Sequence, residues 1–293
     1  MKRRVSILAA ALAILGVAAS PAAARPLDSA VSSNWAGYSV SAPNASFTDV
    51  KGSWVQPTAT CTAGTQSYSS FWIGLGGSIL GSQGLEQTGT SSDCQADGEA
   101  TTYAWYEIIP APPVIVPLVV SPGDAITGEV SVAGTTATFT LDDTTTGQTY
   151  TTQQTVATPD LTSAEWIAEA PAQCHTFHGG GGCTVLPLAN FGVVQFSAAS
   201  TTLNGYTGTI SDPTWSYTTI SLGGGPDTSA ATPSDLSTDG TSFSVSWIAT
   251  AAAPEHTKAT AKPKAKPKVK AKPKPKKKPK PKPKAKPKPS KAT

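Results

Sequence analysis

Short runs in which apolar and polar residues alternate recur along the chain between residues 52 and 249. The clearest is Phe243–Ala249, where Phe243, Val245 and Trp247 fall on one face. A period of two is typical of β-strands with one buried face. The other runs are Gly52–Val55, Phe71–Leu75, Tyr103–Ile109, Ala125–Val132, Ala137–Leu141, Gln148–Thr155, Glu165–Ala168, Val194–Ala198 and Thr214–Leu222.

These runs predict an all-β fold. They are bounded by Gly, Pro, Asp or Asn, and no segment shows a convincing helical period. A dozen or so short strands at regular spacing favour one antiparallel two-sheet β-sandwich. The segment Thr144–Gln148 is predicted to be a hairpin turn, and no solenoid or propeller repeat is visible.

The two ends of the chain differ from its middle. Residues 1–24 have a basic start, a short apolar run and an A-x-A ending, which is typical of a secretory signal peptide. Residues 255–293 alternate Lys with Pro and Ala, a composition that predicts an extended, disordered tail. Residues 25–254 are therefore expected to form the folded domain of an exported protein without a transmembrane segment.

Charge is divided unevenly along the chain. The segment from Arg25 to Thr257 holds two basic and all 19 acidic residues, a formal charge of −17, whereas the whole chain carries +3. Protonation in acid would bring such a segment toward zero charge and would break few ion pairs. Activity below neutral pH fits this composition, and so does an acidic surface that serves only solubility.

Four cysteines lie in the central segment, and an exported chain with an even number of cysteines is expected to form disulfides. Proximity favours Cys61–Cys94 and Cys174–Cys183 among three connectivities. Cys174, His175, His178 and Cys183 could in principle bind zinc, but the intervening glycines favour a disulfide-closed hairpin loop and no metal.

Three predicted strand faces combine an acidic or amide side chain with apolar residues. Alternate residues of a strand share a face, and a carboxylate among aromatic residues is costly unless it is solvated, paired or used. An edge-strand carboxylate that faces water is the alternative interpretation. The three faces carry Tyr103, Trp105, Glu107 and Ile109; Glu165, Ile167 and Glu169; and Leu85, Gln87 and Gly89.

Other catalytic patterns are weak or missing from the sequence. Histidine occurs only at His175, His178 and His256, and there is no G-x-S-x-G, H-E-x-x-H, D-T-G or D-S-G motif. No glycine-rich phosphate loop precedes a helix. An enzyme built from this chain would therefore use carboxylates and amides, and no cofactor is expected.

An ordered series of motifs resembles the glutamic peptidases, or eqolisins. The match extends from Ser33 to about Ala198, with weaker agreement to Ala249. Its motifs are SNWAGY from Ser33, GSWVQP from Gly52, FWIGLGG from Phe71, LEQTG from Leu85, AWYE from Ala104, AEWIAE from Ala164 and ANFG from Ala189.

The resemblance implies two seven-stranded antiparallel sheets in a concanavalin A-like sandwich, similar to lectins and glucanases. It implies a catalytic pair formed by Gln87 and Glu169, and a substrate cleft with Trp35, Trp72 and Glu107. The predicted strand face that carries Glu107 adds Trp105 as a substrate-binding candidate. Two departures concern carboxylates: Gly76 and Tyr103 stand where fungal members have Asp, and no other residue of the sequence visibly replaces the first of these.

Two other functions remain open from the sequence. A retaining glycoside hydrolase on the same fold could use Glu107 and Glu169, with Trp35, Trp72 and Trp105 as sugar platforms. A non-catalytic carbohydrate- or cell-wall-binding module is the third interpretation. Gln87 distinguishes them, because only the peptidase needs an amide there.

The expected partners follow from these interpretations. A peptidase acts on protein or peptide substrates, and the Lys/Pro-rich tail could bind anionic cell-wall polymers through its charge. The tail has no interleaved aromatic residue, so specific nucleic-acid recognition is not expected. The protein is expected to be a secreted monomer, and its tail favours loose association with the cell wall.

Overall fold

The computed structural model describes residues 26–78, 82, 84–177, 180–223 and 229–249. The predicted signal peptide, the Lys/Pro-rich tail, His178 and His256 lie outside them. These residues form eighteen β-strands, and no helix that could cross a membrane occurs among them. In chain order the strands are β1 Pro26–Ser32, β2 Trp35–Ser41, β3 Phe47–Val55, β4 Ser70–Leu75, β5 Glu86–Cys94, β6 Ala100–Ile108, β7 Val114–Ile115, β8 Ala125–Ala133, β9 Thr136–Asp143, β10 Gln148–Thr155, β11 Ser163–Glu169, β12 Ala172–Phe177, β13 Gly180–Val185, β14 Val193–Leu203, β15 Tyr206–Gly208, β16 Ser216–Leu222, β17 Ser229–Pro233 and β18 Phe243–Ala249.

Two layers of seven strands make up the sandwich. One layer has the order β10-β9-β8-β3-β14-β18-β17, and the other has the order β16-β2-β11-β4-β5-β6-β7. The layers join where β17 meets β16, through the pair Ala231 and Leu222. The predicted all-β sandwich is confirmed. Its antiparallel pairing has one exception among the described strands, because β1 runs parallel to β16.

The main core fills the space between the two layers. Alternation in β8 and β9 buries every second residue, including Val130, Phe139 and Leu141, as the sequence pattern predicts. Trp54 and Trp166 are completely enclosed and contribute the largest side chains. Burial of such aromatic surface is the main stabilising contribution in a sandwich of this kind.

A second apolar cluster lies on the other face of β11, β4 and β5. Trp72 and Ile167 are buried on that face, and Leu85 and Trp105 pack beside them. These strands are therefore covered on both faces, so their burial does not alternate. We call this second surface, on β11, β4, β5 and β6, the cleft face.

Two disulfides join Cys61 to Cys94 and Cys174 to Cys183, the pairing that proximity in the sequence favoured. The first ties the segment after β3 to the end of β5. The second joins paired positions of β12 and β13, so the predicted hairpin loop is a two-stranded hairpin. No group of side chains suited to a metal ion occurs among the described residues.

Candidate active site

The strand register brings the three predicted faces together on the cleft face. Gln87 of β5 pairs with Glu107 of β6 and with Gly74 of β4, and Gly74 pairs with Glu165 of β11. Further rows of paired residues follow on the same face, each displaced by two residues along the strands. The next row holds Trp105, Gly89, Trp72 and Ile167, and the row after it holds Tyr103, Ser91, Ser70 and Glu169.

A cleft of about 610 Å³ opens over these rows. Gln87, Glu107 and Glu169 all line it, so the structure brings the predicted catalytic pair and the predicted cleft carboxyl into one cavity. Its aromatic walls include Trp35 and Trp105. Its rim includes Tyr103, Ile109, Pro110, Pro113, Pro171 and Cys174.

Two N–H donors hold the carboxyl group of Glu169. Asn34 Nδ2 donates to Oε1 at 2.9 Å, and Trp72 Nε1 donates to Oε2 at 2.7 Å. Burial raises the pKa of Glu169 to about 7, the hydrogen bond from Trp72 lowers it in part, and the charge of Glu107 raises it further. The two donors stabilise the ionised form in a site where desolvation disfavours it.

Gln87 and Glu107 form the second polar pair of the cleft. Gln87 is almost completely buried, and its Nε2 donates to Glu107 Oε2 at 2.6 Å. Gln87 Oε1 has no hydrogen-bond partner among the described residues. Burial raises the pKa of Glu107 to about 7, and the hydrogen bond from Gln87 lowers it in part.

The tryptophans predicted to bind substrate occupy different depths. Trp72 is completely buried and meets the ring of Trp35 edge-on, with ring centroids 5.0 Å apart. Trp105 lines the cleft while its Nε1 donates to Ser91 Oγ at 2.9 Å. Trp35 and Trp105 therefore present surface to the cleft, whereas Trp72 supports Glu169 from below.

Asn34 is the site residue that the sequence did not single out as functional. It precedes β2, in a turn where Ser32 Oγ donates to Asn34 Oδ1 at 3.2 Å. That contact fixes the amide so that its Nδ2 points at Glu169. A lone Asn in a turn has no distinguishing pattern, although it lies within the SNWAGY motif.

Two further carboxyl groups, those of Glu165 and Glu86, lie on the same strands as Glu169 and Gln87 but are not among the described residues that line the cleft. Glu165 is completely buried, and neither of its carboxyl oxygens has a hydrogen-bond partner among the described residues. Burial raises its pKa well above the ordinary value, and the charges of Asp160 and Glu86 add to this. Burial also raises the pKa of Glu86 to about 7. Both groups are therefore neutral in acid.

Asp160 occupies the space beside Gly76. A Cβ at Gly76 would lie 2.6 Å from Asp160 Cβ, and Gly76 has a φ of +85°. Burial raises the pKa of Asp160, but hydrogen bonds from Ser82 and Thr162 outweigh this effect and hold it below its ordinary value. Asp160 therefore places a carboxylate beside Gly76 from a different part of the chain.

Residues 33–247 match the model of the peptidase A4 family. This chain belongs to that family. It is therefore a glutamic-type endopeptidase, a hydrolase that acts on proteins. The A4 match runs from the turn before β2 into the last strand, β18, and so includes each predicted site residue.

Solved structures of glutamic peptidases resemble this A4 peptidase over nearly their whole length. Scytalido-glutamic peptidase, solved with a peptide-based transition-state analogue, has 25% identity and a TM-score of 0.59 and covers 74% of this chain and 98% of its own. SCP-B, an eqolisin solved with the tripeptide Ala-Ile-His, has 25% identity, a TM-score of 0.56 and the same coverage. No curated protein matches this chain.

Family membership decides between the functions left open by the sequence. The glycoside-hydrolase and binding-module interpretations are not supported, because the family and its solved relatives are peptidases. The site itself agrees, since Trp72 is too deeply buried to serve as a sugar platform. Glu107, moreover, is hydrogen-bonded to the amide of Gln87.

Proposed function

We propose that this A4 peptidase is a secreted endopeptidase active in acid, with Glu169 as general base and acid and Gln87 as oxyanion donor. The observation that supports it most strongly is the shared cleft, in which two N–H groups hold Glu169 and the amide of Gln87 lies on a neighbouring strand. Trp35, Trp105 and Glu107 form the substrate-binding walls. Trp72 and Asn34 are positioning residues for Glu169.

The proposed reaction needs only these side chains and water. The carboxylate of Glu169 takes a proton from the water whose oxygen bonds to the scissile carbonyl carbon. The carbonyl π electrons move to oxygen, and the Gln87 amide donates a hydrogen bond to that oxyanion. Glu169 then gives its proton to the leaving nitrogen as the C–N bond breaks, which restores the carboxylate.

Glu107 determines which end of the Gln87 amide faces the substrate. An ionised Glu107 accepts from Gln87 Nε2, as the 2.6 Å contact shows. A protonated Glu107 can instead donate to the amide oxygen, because the two amide ends exchange by a half-turn of the amide group. Both N–H groups of Gln87 are then available to the oxyanion.

In the proposed active form, the carboxyl groups of Glu107 and Glu169 together carry one negative charge. Glu107 and Glu169 repel each other, and both pKa values are about 7. Two N–H donors hold Glu169, whereas one holds Glu107, so the remaining charge of a singly protonated pair resides mainly on Glu169. This distribution supplies the base and the oxyanion donor together in the pH range in which the pair carries one charge, and protonation of Glu169 sets the acid limit of that range.

Cleavage of casein and a synthetic peptide from about pH 2 to about pH 7, with pepstatin present, tests the proposal. Wild type should cleave both in acid, and Glu169→Gln should cleave neither, because an amide cannot accept and return the proton. Ser33→Ala, at an exposed position next to Asn34, is the matched control and should retain activity. Undiminished cleavage by Glu169→Gln would refute the proposed mechanism.

Export and wall association are part of the same proposal. They are supported by the signal-like residues 1–24, the two disulfides and the Lys/Pro-rich residues 255–293. A tail with 17 Lys beyond Thr257 would bind anionic wall polymers without sequence specificity. Truncation after Thr257 should move the enzyme from the cell pellet to the medium, and an unchanged distribution would rule out retention by the tail.

A further inference from the structure

A second pocket of about 400 Å³ adjoins the catalytic cleft. Asn34, Trp35 and Gly77 line both cavities and so form the boundary between them. Asn34 also donates a hydrogen bond to Glu169. A chain that lies across Glu169 can therefore reach this pocket directly from the catalytic cleft.

The far walls of the second pocket come from β2 and β16. Ser39 of β2 pairs with Thr218 of β16, and both line the pocket together with Ile220. Ser39 and Ile220 are nearly enclosed, whereas Thr218 is only half-buried. The walls are thus formed by ordered strands, and Thr218 is the position at which a new side chain would enter the pocket with the least disturbance.

The chemistry of these walls is neutral. The lining combines the apolar surfaces of Trp35 and Ile220 with the hydroxyl groups of Ser39 and Thr218, and none of the described residues that line it is acidic or basic. A volume of about 300–1,000 Å³ is typical of sites that hold a whole small ligand, so any single side chain fits. A cation placed there would lose hydration without gaining a counter-charge.

We propose that the second pocket is a substrate subsite that accepts one neutral side chain and rejects Lys and Arg. This inference rests on the proposed function, because it assumes that a peptide lies across Glu169. The discrimination is against cations in particular. Lys and Arg keep their charge throughout the acid range, whereas Asp and Glu side chains of a substrate change charge near pH about 4, so Lys and Arg give the unambiguous test.

Cleavage of a peptide library by the full-length enzyme at about pH 5, with products sequenced by mass spectrometry, tests this subsite. Wild type should show Lys and Arg depleted at one fixed position relative to the scissile bond. Thr218→Glu places a carboxylate in the pocket and should raise kcat/KM about tenfold for peptides with Lys at that position, with other positions unchanged. Thr151→Glu adds the same charge on the exposed face of β10 and should keep the wild-type profile.

Each outcome bears on one of the two claims. Wild-type cleavage with Lys and Arg accepted at every position, or a Thr218→Glu profile equal to that of Thr151→Glu, would overturn the subsite while leaving the peptidase mechanism intact. No cleavage by wild type would overturn the proposed function and the subsite with it. Thr218→Trp, which fills the pocket, should favour Gly and Ala at the same position and provides an independent check by size.

Discussion

At the scale of residues, the hydrogen bond between Gln87 and Glu107 is a feature that the sequence pattern predicts only in part. Strand alternation could place each on a cleft-facing surface, and the structure confirms this for both. Alternation could not reveal that the two side chains are hydrogen-bonded, because that depends on the register of β5 against β6. Asn34 escaped prediction for a related reason, since its role depends on a turn that no periodic pattern describes.

Replacing Glu107 tests its control of the Gln87 amide. Glu107→Gln introduces an amide that stays neutral and can donate to Gln87 Oε1 at any pH. The decline of wild-type kcat/KM as pH rises through about 7, where Glu107 ionises, should therefore move to higher pH in the variant. The measurement is the pH profile of kcat/KM, with Glu99→Gln at an exposed position as control. An unchanged upper limb would contradict the assigned role.

At the scale of elements, the strands that were easiest to predict are buried on one face only. The predicted bounds of β10 and β18 agree with the structure, and β8 and β9 follow the alternation closely. Among the strands covered on both faces, β4 and β11 were predicted to within two residues, whereas β5 was not among the alternating runs and β2 was recognised only as part of a motif. The parallel pairing of β1 with β16 could not be predicted, because it depends on contacts between distant segments.

Because Gly76 and Asp160 lie side by side, a double variant can move one carboxylate from position 160 to position 76. Gly76→Asp should lower the free energy of unfolding by about 1–3 kcal/mol, because its Cβ would overlap Asp160 and an L side chain is strained at a φ of +85°. Gly76→Asp combined with Asp160→Gly removes the overlap with the Asp160 side chain, leaves the close approach to its backbone oxygen, and should recover part of the loss. Urea unfolding of the single and double variants measures this coupling. Strictly additive effects would contradict the steric explanation.

At the scale of the whole molecule, buried carboxyls set the pH response. Burial raises the pKa of Asp49 and Asp93 to about 6 and that of Glu86 to about 7. A carboxyl with a higher pKa in the folded than in the unfolded chain binds its proton more tightly when folded. Its contribution to stability is complete below pH about 4 and is lost as pH rises toward about 7.

Ion pairs contribute little to the pH dependence of stability. Lys51 forms the one salt bridge found among the described residues, to Glu129 at 3.0 Å, and both side chains are substantially exposed. Exposed pairs of this kind contribute about 0–1 kcal/mol. The structure thus agrees with the uneven charge of the sequence. Protonation in acid removes repulsion between carboxylates and breaks few ion pairs.

Urea unfolding at about pH 4 and about pH 8 should show the greater stability in acid. Glu86 alone should account for about 3 kcal/mol of the difference, because it is buried and its pKa rises from 4.5 to about 7. Glu86→Gln should therefore flatten the pH dependence, whereas Glu99→Gln at an exposed position should not. Equal or greater stability at pH about 8 in the wild type would contradict this account.

The amide of Gln87 tests the central claim most directly, because the proposed chemistry depends on a donor that a two-carboxylate hydrolase would not need. The measurement is kcat for cleavage of one peptide in acid by wild type and Gln87→Ala, with circular dichroism confirming that both are folded. Removal of the oxyanion donor should lower kcat by about 100- to 1,000-fold. Cleavage by folded Gln87→Ala at the wild-type rate would contradict the account.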